Sequence, residues 1–164
     1  MNTLVLDKTQ IEQKINRIAY QIFEDNFEEK EIFIAGIAPS GFVLAEKIVQ
    51  AIENISPLKV HLLKINMDKE NPLSKEIQLP ISPNALKNKS IILVDDVLNS
   101  GKTLIYSMRP FLDIDVKKIR TVVLVNRNHK RFPIAADYVG ISLATTMQEH
   151  ITVKLGDKES VYLS

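Results

Sequence analysis

The run Ile91-Ile92-Leu93-Val94-Asp95-Asp96 constrains this chain more than any other stretch. Four aliphatic residues in succession suit a strand covered on both faces of a parallel sheet. Two carboxylates follow, and because side chains alternate along a strand, Asp95 and Asp96 diverge to opposite faces. A loop with Asn99, Ser100 and Gly101 comes next, with a helix expected from about Thr103. A helix start presents unpaired N–H groups and a positive dipole end to phosphate. Carboxylates accept hydrogen bonds from sugar hydroxyls, and the hydroxyls of Ser100 and Thr103 can donate to phosphate oxygens. Together they describe a pocket for a phosphorylated sugar. Gly101-Lys102-Thr103 also matches the end of a nucleotide P-loop, but that pattern needs a glycine where Asp96 stands. An ordinary strand–turn–helix leaves unexplained why two acids crowd the C-terminal end of a buried strand, where open α/β sheets place their ligands.

The remainder of the chain supplies a frame for that pocket. Asp7-Lys8-Thr9-Gln10 resembles a capping box, and Ile11, Ile15, Ile18, Ala19 and Ile22 recur at helical spacing, so residues 8 to about 25 are expected as an amphipathic helix. Arg17 and Tyr20 fall off the apolar stripe and read as a solvated arginine and a half-buried tyrosine. Ile32 to Gly36 is a second buried strand, emptying through Gly36-Ile37-Ala38-Pro39-Ser40-Gly41 into a helix with Val43, Leu44, Ile48, Val49 and Ile52. This second strand–turn–helix offers another anion site at a helix start. Val60 to Ile65 reads as a strand in which His61 is structural. Residues 66–80 are polar, hold Pro72 and Pro80, and show no period, which marks a functional or mobile segment.

After the acidic run, Leu104, Ile105, Met108, Phe111 and Leu112 continue a helix that Pro110 must kink or end. Ile119 to Val125 is a further strand, residues 126–133 form a basic loop, and Tyr138 to Ile141 is a short strand. Glu149 to Leu155 and Val161 to Leu163, joined at Gly156-Asp157, read as a terminal hairpin. Strands alternating with helices give an α/β fold with a parallel sheet and right-handed crossovers. The 164 residues are expected to form a single domain, 1–164. Twenty-one basic against twenty acidic residues leave no global field toward nucleic acid or membrane, and the absence of cysteine excludes disulfides and thiolate chemistry. With no signal peptide and no apolar run of membrane length, the chain reads as soluble and cytoplasmic.

Val94-Asp95-Asp96-Val97-Leu98-Asn99-Ser100-Gly101-Lys102-Thr103 resembles the phosphoribosyl-pyrophosphate signature of type I phosphoribosyltransferases. Asn16-Arg17-Ile18-Ala19-Tyr20, Leu124 to His129 and Pro133 to Gly140 extend the likeness to nearly the whole chain. They are similar to the subfamily of pyrimidine-operon attenuation regulators that are also uracil phosphoribosyltransferases. The resemblance implies a type I phosphoribosyltransferase-like, five-stranded parallel sheet flanked by helices, a small hood with a loop at about 66–80, and a base-side region at about 126–155. It implies a homo-oligomer, phosphoribosyl pyrophosphate and a nucleobase as partners, and Mg²⁺ carried by the substrate near Asp95 with no direct protein metal site. Asp95 and Asp96 would bind the ribose hydroxyls and form the catalytic pair. Val97, Leu98, Asn99, Ser100, Gly101, Lys102 and Thr103 would hold the 5′-phosphate. Ala38, Pro39, Ser40 and Gly41 would face pyrophosphate, and Arg127, Tyr138 and Val139 would frame the base.

Several positions depart from that family. Ala38 and Ser40 stand where its pyrophosphate loop is basic, and Asn66-Met67-Asp68-Lys69 replaces an aromatic–arginine–aspartate–aspartate run, leaving Lys64, Lys69 and Lys75 as nearby cations. Asn16, Tyr20, Ala135 and Ile141 replace polar or basic residues of the regulators' RNA surface, while Arg17, His129 and Lys130 survive. The expected function is transfer of the phosphoribosyl group to uracil or a related pyrimidine. The alternatives are an RNA-binding regulator, which the lost cations disfavour, and a non-catalytic sensor of phosphoribosyl pyrophosphate.

Overall fold

Asp7 starts the first helix as its sequence implies: its carboxylate accepts from the Gln10 amide at 2.8 Å, and Gln10 Oε1 accepts from the Asp7 amide at 2.9 Å. The computed structural model describes residues 2–164. In chain order the elements are β1 (Thr3–Leu6), α1 (Lys8–Asn26), β2 (Glu31–Ile37), α2 (Ser40–Ile55), β3 (Lys59–Ile65), a 3₁₀ turn (Pro83–Leu86), β4 (Ser90–Leu98), α3 (Lys102–Ser107), α4 (Arg109–Leu112), β5 (Lys118–Asn126), β6 (Tyr138–Ser142), β7 (Ile151–Lys154) and β8 (Ser160–Leu163). Pro110 divides the helix after the acidic run, with α3 ending at Ser107 and α4 carrying the proline in its first turn.

Five parallel strands form the main sheet in the order β3-β2-β4-β5-β6. The chain moves outward from β2 to β3, then crosses back to place β4 on the other side of β2. The C-terminal ends of β2 and β4 therefore flank the point where strand order reverses, the place where open α/β sheets bind ligands. Alternation along the strands gives two cores. Ile32, Ile34, Ile92, Val94, Val122 and Leu124 pack under α1 and α2, whereas Phe33, Ala35, Ile91, Leu93 and Val123 pack with Leu86, Leu104 and Phe111 on the opposite face. Both faces are thus covered, which accounts for unbroken apolar strands.

The terminal hairpin forms between β7 and β8, but it is part of a three-stranded antiparallel sheet in which β1 pairs with β8. Sequence reading stops at the hairpin because β1 has only four residues and its partner lies at the far end of the chain. Residues 66–80 contain no helix or strand, but their polarity is misleading: Pro72 and Ile77 are buried, and Ile77 joins the second core. Arg17 is not simply solvated, since its Nη2 donates to the carbonyls of Val139 at 2.6 Å and Gly140 at 2.9 Å, pinning α1 to β6. Tyr20 is more exposed than expected, at 53%. His61 is structural, stacking on Phe33 at 4.5 Å and meeting Glu31 at 3.2 Å.

Candidate functional site

Helix α2 approaches β4 closely because Gly41 has no side chain. A Cβ there would lie 2.6 Å from the Val94 carbonyl oxygen, 2.9 Å from Asp95 Cα and 3.1 Å from Asp95 Oδ1. The β2–α2 turn is thereby set directly beside the acidic pair. Ala38 is fixed by its amide, which donates to the Ile65 carbonyl at 2.9 Å, and the Ala38–Pro39 peptide is cis. Ala38 and Pro39 open onto a cleft of about 650 Å³ whose other walls include Phe42, Lys64, Asn66 and Met67. Lys64 Nζ lies 5.3 Å from the centre of the Phe42 ring, so this cleft holds one cation although Ala38 and Ser40 bring none.

Asp95 and Asp96 occupy different environments, as alternation along β4 requires. Asp95 is only 3% exposed, whereas Asp96 is half-buried. Asp95 Oδ1 accepts from Lys69 Nζ at 3.1 Å and from the Asp96 amide at 2.9 Å. Burial pushes the Asp95 carboxyl up to about 7, the neighbouring Asp96 charge adds to the rise, and Lys69 opposes it. Asp96 Oδ1 accepts from the Val97 amide at 2.9 Å. One acid is therefore a costly buried group held by a lysine, and the other a more accessible acceptor.

The loop after β4 is tight. Gly101 takes φ +89°, and a Cβ at that position would lie 2.6 Å from Ile134 Cγ2, so both backbone and space require glycine. The Ser100 carbonyl accepts from the amides of Arg131 at 2.7 Å and Phe132 at 3.1 Å, binding the loop to residues 131–134. Ser100 Oγ accepts from the Lys102 amide at 3.2 Å, and Lys102 Nζ donates to the Glu70 carbonyl at 3.2 Å. Thr103 sits half-buried in the first turn of α3, Val97 is half-buried, and Leu98 belongs to the core. The acidic pair, the Ser100–Thr103 loop, the Ala38–Gly41 turn and the tip of residues 66–80 thus converge at one end of the sheet.

The expected base-side residues separate. Val139 pairs with Val123, which pairs with Asp95, so it lies level with the acids two strands away, at about 10 Å. Its carbonyl is already taken by Arg17. Tyr138 does not face the acids: its ring is buried on the α1 side of the sheet, and its hydroxyl donates to Asp25. Burial and that aspartate hold the phenol well above its ordinary value. Arg127 lies beside the loop but its guanidinium is spent on protein groups, namely Asn99 Oδ1 at 3.1 Å, Thr145 Oγ1 at 3.1 Å, the Thr146 carbonyl at 3.2 Å and the Glu149 carbonyl at 2.5 Å. His129 Nε2 joins the same cluster, 2.5 Å from the Thr145 carbonyl oxygen. Sequence reasoning missed Lys69 as the partner of Asp95, although its position in the polar segment after β3 was the available signal.

Known proteins resemble this chain in sequence and in fold. Residues 2–158 match the model of the phosphoribosyl transferase domain. The chain is similar to the bifunctional protein PyrR of Bacillus pumilus, with 33% identity over 166 residues covering 94% of this chain and 91% of the relative. It is similar also to the bifunctional protein PyrR of Clostridium novyi, at 33% over 168 residues covering 96% and 93%. Among solved structures, the hypoxanthine phosphoribosyltransferase of Trypanosoma cruzi superposes with a TM-score of 0.80 at 14% identity, covering 98% of this chain and 95% of that one. A hypoxanthine-guanine phosphoribosyltransferase from Bacillus anthracis gives a TM-score of 0.73 at 22% identity over 87% and 84%. At such identities the two structures speak for the fold alone.

Proposed function

The chain belongs to the phosphoribosyl transferase domain family, and on that premise we propose that it transfers the phosphoribosyl group of magnesium–phosphoribosyl pyrophosphate to a pyrimidine base, uracil before others. The observation that carries the reading is the placement of Asp95 and Asp96 at the strand-order reversal, between the Ser100–Thr103 loop and the Ala38–Gly41 turn. Similarity to bifunctional PyrR proteins supports the pyrimidine branch.

In this reading Asp95 and Asp96 accept hydrogen bonds from the ribose hydroxyls, and Ser100, Thr103 and the surrounding backbone hold the 5′-phosphate. The base nitrogen supplies the electron pair of the new bond to the anomeric carbon. The C1–O pair leaves with pyrophosphate, and the proton shed by the base passes to water. The reacting centre is oxocarbenium-like, as in glycoside cleavage. Magnesium would arrive with the substrate, and Asp95 and Asp96 are the acids placed to face it. The chemistry it would supply there is neutralisation of charge on the pyrophosphate. Arg127 buttresses the base side by fixing Asn99 to residues 145–149, and Val139 contributes through its position next to β5. The reading takes the chain as one catalytic domain working as a homo-oligomer in the cytoplasm.

A panel of free bases, incubated with labelled phosphoribosyl pyrophosphate and Mg²⁺ and read as nucleotide and pyrophosphate release, tests the proposal. Uridine monophosphate from uracil is the expected product. Tight substrate binding with no product from any base identifies a sensor instead, and no binding at all overturns the reading.

A further inference from the structure

We propose that Lys69 is the working cation of residues 66–80: it is the counter-ion of Asp95 until the sugar binds, and then moves to the departing pyrophosphate. The inference rests on the phosphoribosyl transfer proposed above and assigns one residue a part in it.

Of the four lysines around this segment, Lys102 is held by the Glu70 carbonyl, and geometry separates the other three. Lys64 lies over the Phe42 ring, and Lys75 is exposed. Lys69 reaches the buried acid, with Nζ 3.1 Å from Asp95 Oδ1. The segment is built to place it there. Asp68 Oδ1 accepts from the amides of Glu70 and Asn71, both at 3.1 Å, and so folds a turn around Lys69. Lys102 Nζ holds the next residue through the Glu70 carbonyl, while Pro72 and Ile77 are buried beyond the turn.

The position has a chemical consequence. Asp95 Oδ1 already accepts two hydrogen bonds, from Lys69 and from the Asp96 amide, which fills its two lone pairs. A ribose hydroxyl that uses this oxygen must displace the lysine. The same oxygen lies 3.1 Å from where a Gly41 Cβ would be, so the freed ammonium starts beside the Ala38–Gly41 turn. Pyrophosphate at that turn is the nearest new negative charge; Ala38 and Ser40 bring no cation to it, and Lys64, which lines the same cleft, lies over the Phe42 ring. As the C1–O bond breaks and its electron pair departs with pyrophosphate, Lys69 remains protonated and offsets the growing charge. Binding of the sugar thus delivers the cation to the leaving group.

The test uses Lys69→Met and Lys69→Arg in the full chain. Amide hydrogen exchange across residues 66–80, measured without substrate, reads the Asp95 pair; calorimetry with Mg²⁺–phosphoribosyl pyrophosphate reads affinity, and turnover reads kcat. Lys69→Met is expected to speed exchange of the segment at least tenfold, leave affinity equal or tighter because a competitor is gone, and lower kcat by about 10²–10³, the usual cost of one preorganised donor at a developing oxyanion. Lys69→Arg should restore protection and most of kcat. Unchanged exchange in Lys69→Met overturns the counter-ion role, and unchanged kcat overturns the leaving-group role. A parallel fall in affinity and kcat that arginine does not rescue shows a merely structural lysine. If the unmodified protein binds no phosphoribosyl pyrophosphate, the proposed function fails and the leaving-group role with it, while exchange still decides the pairing with Asp95.

Discussion

Arg127 Nη1 donates to Asn99 Oδ1 at 3.1 Å, joining the end of β5 to the loop that follows β4. Its Nε and Nη2 hydrogens hold Thr145, Thr146 and Glu149, so one side chain ties three segments together. The Asn99 oxygen is thereby committed, and a neutral amide cannot take a proton from a purine ring. No useful turnover of hypoxanthine or guanine is expected, with uracil the better substrate. Comparable or higher kcat/KM with a purine would contradict this. Arg127→Ala should lower the affinity for the base and cost about 1.5–3 kcal/mol of stability, the range for a hydrogen bond to a charged group, as measured by denaturant unfolding.

The Asp95 carboxyl, raised to about 7 in the fold, makes stability fall as pH rises. Between the ordinary aspartate value near 3.8 and about 7, the native chain binds more protons at this site than the unfolded one, so the buried charge weakens the fold progressively and fully above 7. The loss is on the order of a few kcal/mol. Asp95→Asn should therefore raise the melting temperature at pH 8 and flatten its dependence between pH 4 and 7, while impairing substrate binding. A variant that melts lower at pH 8 would show that the Lys69 pair outweighs burial.

Asp96→Asn removes a charge from the more accessible acid. Hydrogen bonds to charged groups are worth ~1.5–3 kcal/mol, so affinity for Mg²⁺–phosphoribosyl pyrophosphate should drop by roughly one to two orders of magnitude. Calorimetry giving wild-type affinity for both Asp95→Asn and Asp96→Asn would remove the acids from the binding site.

Specific RNA binding should be absent or weak. Arg17 donates to the carbonyls of Val139 and Gly140, while Asn16, Tyr20, Ala135 and Ile141 carry no positive charge. Residual binding should show a shallow dependence on salt, since few phosphate contacts release few counter-ions. A tight, sequence-selective complex with a pyrimidine-operon leader hairpin at physiological salt would refute this.

Turnover should be slow relative to substrate affinity. Contacts to ribose and 5′-phosphate act equally in ground and transition states, whereas groups facing the pyrophosphate act on rate. Ala38→Lys with Ser40→Arg should raise kcat with little change in affinity. An unmodified protein converting uracil at tens per second, ordinary for enzymes, would mean that the cations already present suffice.

The parallel sheet was legible because buried strands leave continuous apolar runs, as in Ile91 to Val94 and Val122 to Val125. The acidic pair was legible because its carboxylates interrupt such a run. Contacts across long separations were not. Nothing in the local sequence around Arg17 or Arg127 says that their hydrogen bonds go to backbone carbonyls rather than to water or phosphate. Ile77, Leu79 and Ile81 alternate with other residues, but they belong to a segment that forms no strand, so local sequence does not reveal that they reach the second core. The rise of Asp95 depends on α2 lying against it, a consequence of Gly41 that only the packed chain displays.

The pairing of β1 with β8 has a kinetic side. Leu6 meets Val161 and Thr3 meets Leu163, so forming this ladder closes a loop of nearly the whole chain. Loop-closure entropy rises with length, and contacts of high sequence separation slow folding. The five-stranded sheet can assemble without it, through crossovers between neighbouring strands and one, from β3 to β4, that passes β2. The β1–β8 ladder is then the late-closing seam of the small sheet, while the β7–β8 hairpin forms locally and the acids at the end of β4 take their setting from strands that do not wait for it.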